Sequence, residues 1–313
     1  MTISVLLATY NGEKFLREQL ESLLQQTYQD FTVYISDDNS SDSTMLIINE
    51  YKKKYTSKFQ ILEHHSVFRS AKVNFLFLLK NVQSDLYLFC DQDDVWTNNH
   101  VEILVNRYVD LSEKEKKLPI LLHTDLTVVD EKLRVISNSF FKYSNLPKNP
   151  SKNYFFLMNN VTGCVSMINN TLREFVFRDY IFLSQNIDKI LMHDHFFAII
   201  AENFGKRIFI DKKTNLYRQH SNNVVGTDSK YTLQNNFSKL FSLNKSKDKL
   251  QANKVFLSFF SDYYNDFLCE NKTLIKKFIN IKKYPKIFRI FFLLKHGILK
   301  KGLLRNVGLF ITI

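Results

Sequence analysis

The short apolar run from Ile3 to Ala8 ends in Thr9-Tyr10-Asn11-Gly12, the pattern of a strand buried on both faces that runs into a turn. Phe15, Leu16, Leu20, Leu23 and Leu24 then recur at helical spacing over Glu13 to Gln26, with Asn11 or Gly12 near the start of that helix. Phe31 to Ser36 predicts a second strand, Thr44 to Tyr55 a helix, Phe59 to Glu63 a strand, Ala71 to Asn81 a helix and Leu86 to Cys90 a further strand. Strands alternating with helices predict an α/β chain built on a mainly parallel, doubly wound sheet. Ligands of such sheets gather at the carboxyl ends of the strands. Three of those ends are polar here: Thr9-Tyr10-Asn11, Asp37-Asp38-Asn39 and Asp91-Gln92-Asp93-Asp94.

The stretch 222–248 is rich in Asn, Ser, Lys and Asp and reads as a loop. Beyond it the pattern becomes helical and basic. The expected organisation is therefore a body over residues 1–225, a loop or linker over 226–248, and a basic amphipathic helical tail over 249–313.

Charge sharpens this division. The 313 residues carry 43 Lys+Arg against 31 Asp+Glu, and 11 of the basic residues but none of the acids fall between Asn271 and Ile313. The first 270 residues thus hold 32 basic and 31 acidic side chains, a near-neutral body that argues against a nucleic-acid partner. Three cysteines without a CxxC pair exclude a disulfide framework or zinc ribbon and suit a reducing cytosol. Met1 to Leu7 lacks a basic leader and reads as a strand instead of a signal peptide. No stretch reaches the roughly 18 uncharged apolar residues of a spanning helix.

Three carboxylates within Asp91-Gln92-Asp93-Asp94, directly after an apolar strand, repel one another unless a cation offsets them. Mg2+ and Mn2+ take such oxygen ligands and bridge them to phosphates. In an extended segment Asp91 and Asp93 share a face while Asp94 points elsewhere. A solvated acidic turn that caps the helix after Trp96 accounts for the same residues. Asp37 to Thr44 reads either as a capping loop or as the source of a carboxylate that binds a base or ribose. Asp194 could cap the helix that runs into Phe196-Phe197-Ala198-Ile199-Ile200, or be a base made more basic by desolvating neighbours. Cys164 reads as a small buried hydrophobe, and His193-x-His195 lacks the further partners of a zinc site. His123-Thr124-Asp125-Leu126 ends another apolar run, and Gly163 precedes a possible strand.

Val5 to Glu13, Leu23-Leu24-Gln25-Gln26-Thr27-Tyr28, Ile35 to Asp42 and Asp91-Gln92-Asp93-Asp94, in this order and at these spacings, resemble the family 2 glycosyltransferases of GT-A fold. The resemblance extends to His193-Asp194-His195-Phe196 and Tyr217-Arg218-Gln219-His220-Ser221-Asn222-Asn223-Val224, and so covers roughly residues 1–225. These last segments, with Phe89 to Trp96, are most similar to the bacterial rhamnosyltransferase branch.

The resemblance implies an inverting enzyme of cell-surface polysaccharide synthesis. Its donor would be a dTDP- or UDP-linked sugar, dTDP-L-rhamnose among the candidates, and its cofactor Mn2+ or Mg2+. Residue by residue, Thr9 and Tyr10 match positions that meet the nucleotide, with Asn11, Glu13 and Gln92 in the same donor-binding motifs. Asp38 matches the residue that binds the pyrimidine base. Asp91 and Asp93 match the DxD that holds metal and diphosphate, and Asp94 extends it. Asp194 matches the general base, while Arg218 and His220 match a closing segment at the diphosphate and metal. The region of Gly163 faces the acceptor in similar enzymes, and strand-end packing accounts for the same residues equally well.

The tail mixes Phe278, Ile279, Ile281, Ile287, Phe288, Ile290, Phe291, Phe292, Leu293 and Leu294 with lysines. Such a segment reads as binding the membrane surface, where a lipid-linked saccharide acceptor would present itself on the cytoplasmic face. A helical subdomain packed on the body accounts for the same pattern. Two other function classes compete. A nucleotidyltransferase needs a Gly/Lys-rich phosphate loop that Thr9 to Glu13 does not offer, and a non-catalytic nucleotide-sugar-binding membrane protein would keep the pocket without a base.

Overall fold

The computed structural model describes residues 1–64, 66–220, 243–265 and 271–313. Along the chain these form β1 (Ile3–Thr9), α1 (Leu16–Leu24), β2 (Thr32–Asp37), α2 (Thr44–Lys54), β3 (Phe59–Ile61), α3 (Ala71–Asn81), β4 (Leu86–Asp91), β5 (Val95–Trp96), α4 (His100–Val109), α5 (Glu113–Lys116), β6 (Ile120–Val129), β7 (Val135–Ser137) and α6 (Phe140–Tyr143). There follow β8 (Ser166–Asn169), α7 (Asn170–Val176), α8 (Tyr180–Gln185), α9 (His193–Phe204), β9 (Lys206–Arg218), α10 (Leu243–Tyr263), α11 (Asn271–Ile279), α12 (Lys286–Lys295) and α13 (Leu303–Thr312).

All the described strands join one sheet in the order β3-β2-β1-β4-β8-β6-β9-β5, with β7 on β6. The β3-β2-β1-β4 half is parallel throughout, as the alternation of strands and helices predicts. The other half mixes directions: β8 runs antiparallel to both β4 and β6, whereas β6 and β9 are parallel. Val5 and Leu7 of β1, Val33 and Ile35 of β2, and Leu88 of β4 share a core with Leu16, Leu20 and Leu23 of α1 and Leu104 of α4. On the opposite face Phe89 meets Phe75 of α3 and Phe197 of α9 at centroid distances of 5.8 and 5.1 Å. Apolar surface is thus removed from water on both sides of the central strands, each fully buried Leu or Phe contributing about 1.5–3 kcal/mol.

Two corrections to the sequence reading concern strand and helix extents. His123-Thr124-Asp125-Leu126 does not end a strand, because β6 continues to Val129. Its polar residues stay buried because each has a partner: Arg207 donates to His123 Nε2 at 2.9 Å, Thr124 shares a 2.6 Å hydrogen bond with Thr214, and Asp125 accepts from Ser139 Oγ and Phe140 N. The expected loop or linker over 226–248 lies outside the described residues as far as 242, and from Leu243 the chain is already helical. The buried Leu250, Asn253, Leu257 and Phe260 of α10 recur at helical spacing, so packing of that face overrides the polar composition upstream.

The chain divides into two compact units. The first comprises Met1–Ser144, Val161–Arg178 and Met192–His220 and holds the whole sheet. The second gathers Asn145–Asn160 and Asp179–Leu191 with the basic tail, so it is assembled from three segments where the sequence suggested one continuous tail. It has a core of its own, including Phe156, Phe256, Phe260, Ile275, Phe278 and Leu293. Cys90 and Cys164 are buried free thiols, and Cys269 lies outside the described residues. No helix among the described residues is long and apolar enough to cross a membrane.

Where α9 turns into β9, a Cβ on Gly205 would stand 1.8 Å from the carbonyl oxygen of Pro119, which already accepts the 3.0 Å bond from Lys206 N. Backbone cannot yield there as a side chain would. Gly205→Ala is therefore expected to destabilise the protein by about 1–3 kcal/mol, read as a lower urea midpoint at unchanged slope.

Candidate active site

The site is built by strand register. Thr9 stands beside Asp37 and Ala8 beside Asp91 in the parallel ladders of β1 with β2 and β4, so the polar ends of three strands come level. Between β2 and β4 the strand order reverses around β1, the place where doubly wound sheets open a crevice.

The loops that leave these ends are laced together. Thr9 Oγ1 donates to Asp37 Oδ1 at 2.7 Å. Asn11, in the left-handed region at φ 45°, donates its backbone N–H to Ser40 Oγ and accepts from Ser41 N at its side-chain oxygen, both at 2.8 Å. Glu13 accepts from Ser43 N at 2.8 Å while its own N–H reaches Asp42 at 3.1 Å. The Gln92 amide accepts from Tyr10 N and donates to Tyr10 O, each at 2.8 Å. A Cβ on Gly12 would meet Gln92 Oε1 at 2.3 Å, which is why a glycine follows Asn11. Asp38 is buried and accepts from the backbone of Phe68 and Ser70, and Tyr10 is exposed. Asn11, Glu13 and Gln92 thus act as ties between loops in this arrangement.

The acids after β4 are grouped differently from an extended segment, because Gln92 and Asp93 form a turn. Asp91 and Asp94 gather with Cys164, one ligand atom from each lying within 4.8 Å of the others. Asp93 is not a member of that group and meets His220 Nε2 at 2.7 Å. Asp94 is fully buried and accepts from Asn215 Nδ2 at 2.7 Å and Arg218 N at 3.1 Å. Burial, and then the charge of Asp93, push its carboxyl up to about 7. Asp91 is raised well above the usual range by burial, with further contributions from Asp93, Asp94 and Asp194. Burial likewise holds the Cys164 thiol well above its usual range, so it stays protonated and is a poor ligand for a hard cation.

Asp194 lies in the first turn of α9, whose cap is Met192, so it is not the N-cap that the sequence also allowed. Its carboxylate accepts from its neighbour's N–H, at 2.6 Å from His195 N, and from Gly163 N–H. These bonds lower its pKa, but desolvation outweighs them and lifts it to about 7. Gly163 makes the approach possible: a Cβ there would come within 2.8 Å of His193 Nε2. His193 itself is buried against Phe75, Phe89 and Phe197, which dries the wall behind Asp194. Among the described residues, neither His193 nor His195 belongs to a cluster that could hold a metal.

Arg218 is 1% exposed. Its guanidinium donates to Asp93 O, Glu131 O and Glu18 and stacks on Phe15 at 4.4 Å. It therefore serves as a strut under the acidic turn. Glu18, Asn215 and Cys164 all belong to this assembly, and none was evident from sequence, since residues on α1, β9 and a short turn carry no local motif. The partner segment from Ser221 to Val224 lies outside the described residues.

Residues 4–113 match the family model described as Glycosyl transferase family 2. Over 236 residues, 71% of this chain and 74% of the relative, the sequence is 32% identical to the dTDP-rhamnosyl transferase RfbG of Shigella flexneri. The chain belongs to glycosyltransferase family 2. This family 2 member is also 36% identical over 96 residues to the poly(ribitol-phosphate) β-N-acetylglucosaminyltransferase TarS of Staphylococcus aureus, a match spanning 30% of this chain and 16% of that protein. In fold it is similar to the solved structure of S. aureus TarS 1–349 in complex with UDP, with a TM-score of 0.52 at 17% identity, covering 93% of this chain and 91% of the other. A mannosyltransferase from Pyrobaculum calidifontis, solved with GDP-Man and Mn2+, superposes with a TM-score of 0.51 at 12% identity over 94% and 72% of the two chains. Both are glycosyltransferases by name, and the GT-A-like architecture expected from the motifs is the one observed.

Removing the buried Arg218 side chain takes the donor from the part-buried carbonyl oxygens of Asp93 and Glu131 and empties the space it fills, at about 1–3 kcal/mol. Arg218→Ala is expected to lower the thermal midpoint accordingly. Arg218→Lys should recover only part of it, since one ammonium cannot replace a fork of donors; full recovery by Lys would show that charge alone matters.

Proposed function

We propose that this transferase moves a sugar from a nucleotide-diphosphate donor, dTDP-L-rhamnose foremost, to a hydroxyl of a saccharide acceptor with inversion at the anomeric carbon. Support for the donor comes from the long alignment with a dTDP-rhamnosyl transferase. The observation that carries the chemistry is Asp194: a carboxylate at the start of α9, desolvated until its pKa nears 7 and oriented by two backbone N–H groups, close enough to Asp91 for its charge to help raise that carboxyl.

In this reading the acceptor oxygen attacks the anomeric carbon from the side opposite the diphosphate. Its proton passes to Asp194, the new C–O bond forms, and the bond to the phosphate oxygen breaks with its electron pair leaving on the nucleoside diphosphate. A base poised near the working pH combines a useful ionised fraction with a strong pull on the proton. Asp38 at the end of β2 is the candidate for the pyrimidine base, Thr9 and Tyr10 for the nucleoside, and Asn11, Glu13 and Gln92 hold those groups in place. Arg218 fixes the turn that presents Asp91 and Asp93.

The donor set suits a hard divalent cation. No side chain of the described residues donates a hydrogen bond to Asp91, whose raised pKa marks negative charge short of compensation. Asp91, with Asp93 and Asp94, whose charges it senses, and with the His220 partner of Asp93, would hold Mn2+ or Mg2+. Bound there, the ion would offset charge on the diphosphate. The acceptor reads as a lipid-linked glycan of a bacterial surface polysaccharide, elongated on the cytoplasmic side.

Asp194→Asn should cut transfer by about 10²–10⁴-fold while donor affinity by calorimetry stays within a few-fold of wild type; full turnover in the variant would exclude Asp194 as the base. Because the base must be ionised, kcat/KM should fall as pH drops through about 7, and the residual rate of Asp194→Asn should lack that limb. Chelation should abolish transfer, and Mn2+ or Mg2+ should restore it; an unchanged rate in excess chelator would rule out the metal role of Asp91 and Asp93.

A further inference from the structure

The second unit buries one side of its last two helices and leaves the other bare. On α12, Phe292 and Leu293 are buried, whereas Ile287, Phe291 and Leu294, spaced for one helical face, are exposed, Ile287 to 84%. On α13, Leu309 is buried while Leu303, Leu304, Val307 and Ile311 are exposed, Leu303 to 80%. Scattered exposed apolar residues are ordinary, but rows of them call for an occupant. The start of α12 is fastened to the end of α13, with Lys286 Nζ donating to Ile311 O at 3.4 Å and the Arg289 guanidinium to Ile313 O at 2.6 Å. The exposed rows are therefore carried by a braced pair of helices.

Charge selects the occupant. Lys282, Lys283, Lys286, Lys295 and Lys301 are exposed beside these rows, and no acid occurs between Asn271 and Ile313. A second copy of the chain would set this cationic surface against its like. Neither helix is long enough to cross a bilayer. Apolar side chains rimmed by cations, on short helices, match the interface of an anionic lipid leaflet, where the rings and aliphatic groups enter the acyl boundary and the lysines meet headgroups.

We infer that the exposed face of α12 and α13 is a membrane-docking surface selective for anionic lipid. The surface is formed by packed helices of a folded unit, which combines what the sequence offered as two separate readings of the tail. It goes beyond the sugar-transfer reading and does not depend on it.

The test is vesicle co-sedimentation of the full chain, which needs no substrate. Wild type should pellet with vesicles of phosphatidylglycerol and phosphatidylcholine, stay in solution with phosphatidylcholine alone, and release as salt rises. A variant carrying I287E, F291E, L303E and V307E should lose about tenfold or more of its partition with its circular dichroism melt unchanged, since these side chains are exposed. Should that variant unfold, the Lys282→Gln, Lys283→Gln double variant serves instead, with weaker binding and a shallower salt dependence expected. Wild type that stays in the supernatant with anionic vesicles overturns the inference, as does a folded variant that binds equally well. A concentration-dependent dimer in sedimentation velocity that the fourfold variant abolishes, without vesicle binding, would assign the face to a second copy.

Discussion

Negative charge crowded at the carboxyl end of β4 is the constraint around which the first unit is arranged. Asp91, Asp93, Asp94 and Asp194 all contribute to it, and desolvation of Asp91, Asp94 and Asp194 denies those three much of the screening that water would supply. Two like charges about 5 Å apart cost on the order of 3 kcal/mol at an effective dielectric of about 20. The fold meets this cost in several ways at once. Asp94 is hydrogen-bonded to Asn215 and to the backbone of Arg218, Asp93 faces His220, and Arg218 sits beneath the turn. Asp91 has no such donor among the described residues, and there a divalent cation would make the missing contribution. Asp194, at the edge of the same field, is tuned mainly by dryness.

Charge at this density needs a rigid frame. Side-chain amides and carboxylates that could each have met a ligand instead fasten the first loop to the second and to the acidic turn: Asn11 to Ser40 and Ser41, Glu13 to Asp42 and Ser43, Gln92 to Tyr10. Preorganisation of this kind matters most where charge develops during reaction, since dipoles already in place cost nothing to reorient. Gly12 and Gly163 belong to the frame for a steric reason. In each case a Cβ would push against a side chain that holds the site together, Gln92 in one and His193 in the other.

Much of this was legible from residues alone. The apolar run from Ile3, the helix over Ala71–Asn81 and the polar ends of three strands announced both the parallel half of the sheet and the crevice. What escaped is instructive in physical terms. The second half of the sheet contains His123, Thr124 and Asp125 inside a buried strand, and such residues read as a strand end until their distant partners Arg207, Thr214 and Ser139 are known. A donor-binding amide and a loop-tying amide use the same chemistry, so no local pattern distinguishes Gln92 the tie from Gln92 the ligand. The i, i+2 alternation that paired Asp91 with Asp93 holds only in extended chain, and a turn at Gln92-Asp93 regrouped the acids. In the tail, spacing revealed amphipathic helices, but which apolar residues form the core of the second unit and which remain bare depends on segments 145–160 and 179–191, far away in sequence.

The account stands on Asp194 being neutral more often than an ordinary aspartate at a pH where the other surface acids are ionised. Carboxyl-carbon NMR of aspartate-labelled protein, comparing wild type with Asp194→Asn, measures that directly. One resonance missing from the variant should titrate near pH 7 in wild type, whereas a resonance titrating in the ordinary aspartate range near about 4 would contradict the desolvated base on which the proposed mechanism depends.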